Sequence, residues 1–195
     1  MVRIIAGRIN SVETLFKLKA GIIHFLYTKI LKKYFFLFDP EDVHDGMTKM
    51  GVILGDNPIT KWKTSLLFSY QNPVLEQEIL GIKFKNPVGL AAGLDKGAKL
   101  FEELACLGFG FIEIGTVTPL AQPGNDRPRL FRLKMDEALI NRMGFNGEGV
   151  KVVVERLKKR SNYKIIIGGN IGKNKITSNE EAIKDYEICF NEMFS

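Results

Sequence analysis

Apolar and polar positions change rhythm twice along the chain. Residues 20–38, AGIIHFLYTKILKKYFFLF, are apolar except chiefly at Lys29, Lys32 and Lys33. The lysines recur at i, i+3 and i+4 and share one helical face, while Ile23, Tyr27, Ile30, Leu31 and Tyr34 fall roughly on the other. The spacing predicts an amphipathic helix. Three ammonium groups near the middle of a span would be costly in hydrocarbon. The pattern therefore fits a helix lying in a membrane interface, or one packed on the protein's own core with its lysines in water. Asp39-Pro40-Glu41-Asp42 then supplies an N-cap, a first-turn proline and an acidic first turn for a second helix over 41–54. Gly55, Pro58 and Pro73 predict an irregular stretch over 55–78. From residue 79 short apolar runs alternate with helical patterns. Strands are predicted at Ile79–Phe84, Pro87–Leu94, Phe111–Val117 and Lys164–Ile171, with extended pieces at Arg129–Leu133 and Ala138–Ile140. Helices are predicted at Lys99–Leu107, stopped by Gly108, at Gly149–Arg160, and over 179–194, capped by Ser178 or Asn179.

Strands that alternate with helices mean βα units and a parallel sheet. Two architectures compete, a doubly wound sheet and a (β/α)8 barrel. No G-x-G-x-x-G follows a strand, so the dinucleotide fingerprint is missing. Polar Lys96, Thr116 and Asn170 stand at strand ends instead, which is the habit of the TIM barrel. The expected fold is α/β: an N-terminal membrane-associating helical region and linker over 1–75, then the first part of a β/α barrel over 76–195. A whole barrel takes roughly 250 residues, and 79–195 supply about three βα units. An open half-barrel has two bare sheet edges, so the chain is expected to be incomplete.

The composition, 45% hydrophobic and 26% charged, is that of a globular protein. The net charge of +6 is confined to residues 1–38, which hold seven basic residues and one acid; the rest is balanced. A basic, apolar segment beside a neutral body points to a membrane surface and away from nucleic acid. The first 20 residues, with Arg and little acid, are weakly like a transit peptide. Cys106 and Cys189 have no ligand-spaced partner and are expected to be buried, reduced thiols. His24 and His44 are too few and too far apart for zinc, and no metal is expected.

Four ordered motifs carry a resemblance. Asn86-Pro-Val-Gly-Leu-Ala-Ala-Gly-Leu-Asp-Lys96 resembles the first barrel strand and loop of dihydroorotate dehydrogenases. Ile114-Gly-Thr-Val-Thr-Pro119, with Gln122-Pro-Gly-Asn-Asp-Arg-Pro-Arg-Leu-Phe-Arg132, resembles the second strand and its long loop. Ile140-Asn-Arg-Met-Gly-Phe-Asn146 and Asn170-Ile-Gly-Lys-Asn174 resemble two further signatures, and Phe38-Asp-Pro-Glu-Asp-Val-His44 is similar to the N-terminal region of the quinone-linked class. The resemblance runs from about residue 25 to the end; four ordered motifs in one chain are far more specific than any one of them.

The resemblance implies oxidation of dihydroorotate to orotate in pyrimidine synthesis, with FMN as cofactor and a membrane quinone as electron acceptor. In the family a base takes a proton from substrate C5 while hydride passes from C6 to flavin N5. It assigns flavin contact to Ala92, Gly93, Lys96, Thr116 and Asn170. Lys96 is also assigned to the substrate, with Asn141, Arg142, Met143, Gly144 and Phe145. The chemistry suits these types. Small residues let backbone approach a flat ring, an ammonium stabilises charge on reduced flavin, and an amide offers both donor and acceptor to a diamide-like ring. Each also has an ordinary reading: tight packing for Ala92 and Gly93, a solvated lysine or an ion pair with Asp95 for Lys96, a turn for 141–145. Residue 169 is Gly, where the family more often has a larger apolar residue. Arg127, Arg129 and Arg132 read as a solvated or salt-bridged loop and are given no role.

The family's base is a serine on a later strand-loop, expected beyond Ser195, which itself matches no catalytic motif; no catalytic residue is nominated. The implied location is peripheral, on the cytoplasmic face of the bacterial inner membrane, with the mitochondrial inner membrane as the alternative. Two further readings stay open: a truncated, catalytically inactive membrane-bound fragment, and a soluble-class dihydroorotate dehydrogenase-like flavoprotein.

Overall fold

The computed structural model describes residues 2–159 and 165–194, with side chains from residue 14 onward. The chain forms two compact units, residues 1–44 and 45–195. In the first, helix α1 (Val2–Leu26) continues through one π-helical segment, Tyr27–Leu31, into α2 (Lys32–Phe35). On this helix Ile22, Phe25, Tyr27, Ile30, Leu31 and Tyr34 are all exposed. Asp39 opens α3 (Pro40–Gly55) as its sequence predicts, its Oδ1 accepting the backbone N–H of Glu41 at 2.8 Å and of Asp42 at 3.3 Å. The unit boundary falls inside α3. Among the described residues no helix is long and apolar enough to cross a membrane.

The second unit departs from expectation first at α4 (Pro58–Phe68), in the stretch expected to be irregular. Pro58 occupies its first turn and the Asn57 side chain caps it, accepting from Ile59 N at 2.8 Å. Proline there starts a helix and does not break one. The strand expected at 79–84, as hairpin partner to a neighbouring segment, itself holds the turn of a hairpin of β1 (Gln77–Ile79) and β2 (Ile82–Phe84), turned by Leu80 and Gly81, both at positive φ.

The segment expected as a strand over Pro87–Leu94 holds one parallel bridge, Leu90 to Ile112, and is otherwise irregular. Next come α5 (Phe101–Leu104), a 3-10 turn over Ala105–Leu107, and Gly108 at φ +94 as the left-handed stop. β3 (Phe111–Val117) lies at the centre. It takes Leu90 on one edge and pairs in parallel with β6 (Ile166–Ile171) on the other. Between them run an antiparallel hairpin, β4 (Leu130–Leu133) with β5 (Ala138–Asn141), and helix α6 (Val150–Lys158); α7 (Ala182–Phe194) follows β6. The expected ends at Arg160 and Lys164 lie outside the described residues.

The core forms where β3 meets the helices. Ile112 and Ile114 are fully buried, with Phe101 and Leu104 from α5, Val150 and Val153 from α6, and Cys189 from α7 around them. Complete burial of one such aliphatic side chain contributes about 1.5–3 kcal/mol. Cys189 is buried as expected, and burial pushes its thiol up to about 11. Cys106 is only half-buried, which corrects the expectation of two buried thiols: it sits on the single 3-10 turn after α5, too short to enclose it.

Candidate functional site

The loop after Leu90 is tied to the end of β3 by main-chain hydrogen bonds. Gly93 N donates to Gly115 O at 2.8 Å, and Gly115 N donates to Asp95 O at 3.1 Å. Asp95 is buried and its carboxylate accepts the N–H groups of Lys99 at 2.7 Å and Leu100 at 2.9 Å, which starts the next helix. Burial holds its carboxyl above the ordinary value despite these hydrogen bonds. Gly93 stands at φ +118, and a Cβ built on it would meet nothing within 4 Å. The backbone here presents an open, side-chain-free surface.

β3 then breaks its own alternation. Ile112 and Ile114 face the core and Glu113 the opposite side, but the register with β6 shifts between Ile114 and Val117. Gly115 sits in that shift at φ +111, so close to Asn170 that an added Cβ would press on backbone. In a regular strand, residues 113 and 116 would point to opposite faces; the irregularity puts both on the same neighbour. Thr116 Oγ1 donates to Asn170 Oδ1 at 2.6 Å, and Asn170 Nδ2 donates to Glu113 Oε1 at 2.9 Å. Glu113 Oε2 accepts Ala92 N at 3.3 Å. Three expected flavin-contact residues, Ala92, Thr116 and Asn170, are thus linked across three adjacent parallel segments. The link is Glu113, which sequence reasoning passes over.

A second group forms around Lys96. Its Nζ donates to Asn146 Oδ1 at 2.9 Å and lies 3.1 Å from Met143 Sδ. Asn141 Oδ1 accepts Met143 N at 2.9 Å. The 141–146 loop is held from outside. Asn125 Nδ2 donates to Arg142 O at 2.7 Å, Asn125 N to Met143 O at 2.9 Å, and Gln122 Nε2 to Phe145 O at 3.0 Å. Arg142 turns its guanidinium to Pro128 O (3.0 Å from Nη2) and over the Phe131 ring. Met143 is buried; Gly144 and Phe145 both have positive φ, and Phe145 is exposed. Lys96 is therefore where the loop after Leu90 meets the loop after β5.

Two polar anchors complete the surroundings. Asn174, buried, accepts Leu120 N and donates to Gln122 Oε1 at 3.0 Å, while Asp185 accepts Asn174 N at 2.8 Å. On the helical side Glu148 accepts Lys99 Nζ at 2.9 Å and Arg156 Nη1 at 3.2 Å, and Arg156 also donates to Gly97 O. A cleft of about 520 Å³ among α3, α4, α5 and α6 is lined by Val52, Gly55, Lys61, Ala98, Glu102 and Arg156, and by none of the expected site residues. Among the described residues no cluster of three or more His, Cys, Asp or Glu could hold a metal ion.

Residues 74–194 match the family model of dihydroorotate dehydrogenase. The chain belongs to the dihydroorotate dehydrogenase family. A dihydroorotate dehydrogenase (quinone) of Christiangramia forsetii is 54% identical over 173 residues, 87% of this chain and 49% of that protein. One of Idiomarina loihiensis is 51% identical over 168 residues, 85% and 48% of the two chains. The crystal structure of the Eimeria tenella dihydroorotate dehydrogenase in complex with ferulenol superposes with a TM-score of 0.63 at 40% identity, over 76% of this chain and 39% of that one. The chain spans about half the length of the curated relatives it matches.

Within this chain the residues missed by sequence reasoning are Glu113, Gln122, Asn125 and Asp185. Glu113 alternates with Ile112 and Ile114, so a carboxylate on the face away from the core was readable as a signal. The other three act through partners more than ten residues away in sequence, and no spacing rule reaches that far.

Proposed function

We propose that this chain is the N-terminal portion of a quinone-linked dihydroorotate dehydrogenase, forming the first part of an FMN-binding (β/α)8 barrel. The activity is oxidation of dihydroorotate to orotate in de novo pyrimidine (UMP) synthesis, with a membrane quinone as electron acceptor. The observation that carries this reading is the hydrogen-bonded set Ala92–Glu113–Asn170–Thr116, which joins residues from three adjacent parallel segments. Polar groups gathered at the ends of parallel strands are where barrels keep their chemistry.

The residues fit a flat flavin. Gly93, whose N–H is held by Gly115 O, leaves open space where any other residue would place a Cβ, and Thr116 and Asn170 bring a hydroxyl and an amide together at the ends of the neighbouring strands. Ala92, Gly93, Lys96, Thr116 and Asn170 would hold the cofactor, and bound FMN supplies the two-electron acceptor that no side chain can provide. Lys96 brings a positive charge to the junction of the two loops, where it can serve both flavin and substrate. Asn141, Arg142, Met143, Gly144 and Phe145 would form the substrate wall, with Gln122 and Asn125 fixing the backbone of that loop. No residue of this chain is assigned the proton abstraction.

The first unit supports peripheral membrane attachment, on the cytoplasmic face of a bacterial inner membrane or on the mitochondrial inner membrane. Its exposed Ile22, Phe25, Ile30 and Tyr34 accompany the chain's whole charge surplus. The test is reconstitution with FMN followed by dihydroorotate and a soluble quinone analogue. Yellow protein supports the flavin-binding reading, and quinone reduction is expected only when the rest of a full-length relative's barrel is supplied, because no residue of this chain is assigned the proton abstraction. Colourless protein supports the inactive membrane-bound fragment, and flavin reduction without quinone turnover supports the soluble class.

A further inference from the structure

Glu113 has no part in the reading above beyond its contacts, and those contacts impose a direction. A carboxylate can only accept hydrogen bonds. Glu113 Oε2 takes the N–H of Ala92 and Oε1 takes Nδ2 of Asn170. An amide side chain has one donor end and one acceptor end, so holding Nδ2 on Glu113 turns Oδ1 toward Thr116. Thr116 must then donate its hydroxyl proton to Oδ1, as the 2.6 Å contact shows. What remains for a ligand is set at both ends. Thr116 keeps acceptor lone pairs on Oγ1, and Asn170 keeps its second Nδ2 proton.

We propose that Glu113 is a positioning residue that fixes the donor and acceptor order of the Thr116–Asn170 pair, and so the polarity of the edge that pair offers to a planar heterocycle. The use of that edge by flavin rests on the function proposed above; the relay itself does not. A neutral amide at position 113 would not hold the direction. In Glu113→Gln the new amide could donate to Asn170 Oδ1, the Asn170 amide would rotate by half a turn, and the Thr116 hydroxyl, which can accept as well as donate, would follow. The edge would then offer a donor where it had an acceptor. The near-identical shape of Glu and Gln makes this a change of polarity with little change of packing. The β3 irregularity at Gly115 makes the relay possible, because without it residues 113 and 116 would not share a partner.

The test uses the 195-residue chain, its Glu113→Gln variant and, as a second variant, Thr116→Val. The first readout is nuclear Overhauser contacts of the Asn170 side-chain amide protons. In the wild type they are expected to Glu113 Cγ protons, and in Glu113→Gln to the Thr116 methyl. Thr116→Val removes the hydroxyl but leaves the carboxylate, so the wild-type pattern is expected to persist. The second readout is FMN affinity by visible absorbance, expected to be at least tenfold weaker in Glu113→Gln at unchanged melting temperature. An unrotated amide in Glu113→Gln, or rotation in Thr116→Val, overturns the relay. Equal FMN affinity despite rotation overturns its role in the flavin site. Wild type that ignores FMN while the amide still rotates supports the relay and overturns the flavin reading, so the two failures are told apart.

Discussion

The helix of the first unit and the strand ends of the second use the same residue types to opposite ends. Ile22 and Phe25 are 53% and 56% exposed, whereas Ile112 and Ile114 are fully buried. Both sets obey a clean periodicity, 3.6 residues in the helix and two in the strand. Periodicity therefore states that a face is apolar and leaves open what covers it. The strand teaches the complement: where β3 keeps its alternation it builds core, and where it breaks at Gly115 the polar network of Glu113, Thr116 and Asn170 gathers. Irregularity in an otherwise consistent element marks the place where polar hydrogen bonding replaces packing.

The largest effect is expected from removing the helix of the first unit. Deletion of residues 1–38 takes away the whole charge surplus and the exposed apolar helix. Cosedimentation with vesicles containing anionic lipid is expected to fall from most of the protein to background; a truncated chain that still pellets with lipid would refute attachment through this segment. The next largest effect is expected at the break itself. Gly115→Ala places a Cβ at φ +111, within 3.0 Å of Val117 N and against the Asn170 carbonyl. Backbone cannot step aside cheaply, and the loss is expected to be about 2–4 kcal/mol by urea denaturation. A loss below about 0.5 kcal/mol would show that the β3 irregularity tolerates a side chain.

Much of this organisation can be read from sequence, and the failures have physical causes. The strand Phe111–Val117, the hairpin pieces, the Asp39 cap and the Gly108 stop all rest on local rules and are found where they are expected. Helix α4 escapes the sequence reading because Gly55 and Pro58 are breakers in the middle of a helix but boundary residues at its ends. The hairpin at 77–84 reads as one strand because Leu80, at φ +51, occupies a turn position that rarely takes leucine. The strand at 87–94 carries one bridge because its backbone is committed to Gly110, Phe111, Glu113 and Gly115 through single hydrogen bonds spread along a turning loop. The positions that the resemblance assigns to flavin, 92, 93, 96, 116 and 170, are legible as motifs. Glu113, which links three of those positions, is legible only as a carboxylate on the face of β3 away from the core; its significance lies in Asn170, 57 residues away.

Smaller perturbations sharpen the contrast between packing and polarity. Asp95→Asn keeps the shape but leaves one acceptor for the two N–H groups of Lys99 and Leu100. An expected loss of about 1–2 kcal/mol at neutral pH follows from an unsatisfied buried donor. The burial-raised carboxyl sets the pH sense: its contribution is largest below the ordinary value of 3.8 and diminishes as pH rises through the raised folded value, so the variant should lose least, relative to wild type, near neutral pH. A variant that loses more as pH rises would contradict this. Gly169→Ala tests the strand position where the resemblance leads one to expect a larger apolar residue. The new Cβ would meet only Met193, at 2.6 Å from Cε and 3.1 Å from Sδ. A flexible thioether can move, and a strand gains from losing a glycine, so stability is expected to stay within about 1 kcal/mol of wild type. A larger loss would mean that Met193 is fixed in place.

The smallest effect is expected at Glu148, and it contrasts with Glu113. Glu148 sits on the helical side, between Lys99 Nζ at 2.9 Å and Arg156 Nη1 at 3.2 Å. Partial burial pushes its carboxyl up, but the hydrogen bonds and charges of Lys99 and Arg156 together outweigh that and hold it below the ordinary 4.5. Because the folded value is the lower one, the contribution is fully present above about pH 4.5 and disappears as pH falls through the folded value. All three side chains are partly solvated, so the whole cluster contributes on the order of 0.5 kcal/mol. Glu148→Gln should therefore flatten the urea-midpoint profile between about pH 5 and 3, and added salt should shrink the difference further. If Glu148→Gln costs as much as Gly115→Ala, the cluster is not a screened surface pair. Arg156, which also holds Gly97, would then be the support of the Lys96 loop, and the helical side would belong to the site as fully as the strand ends do.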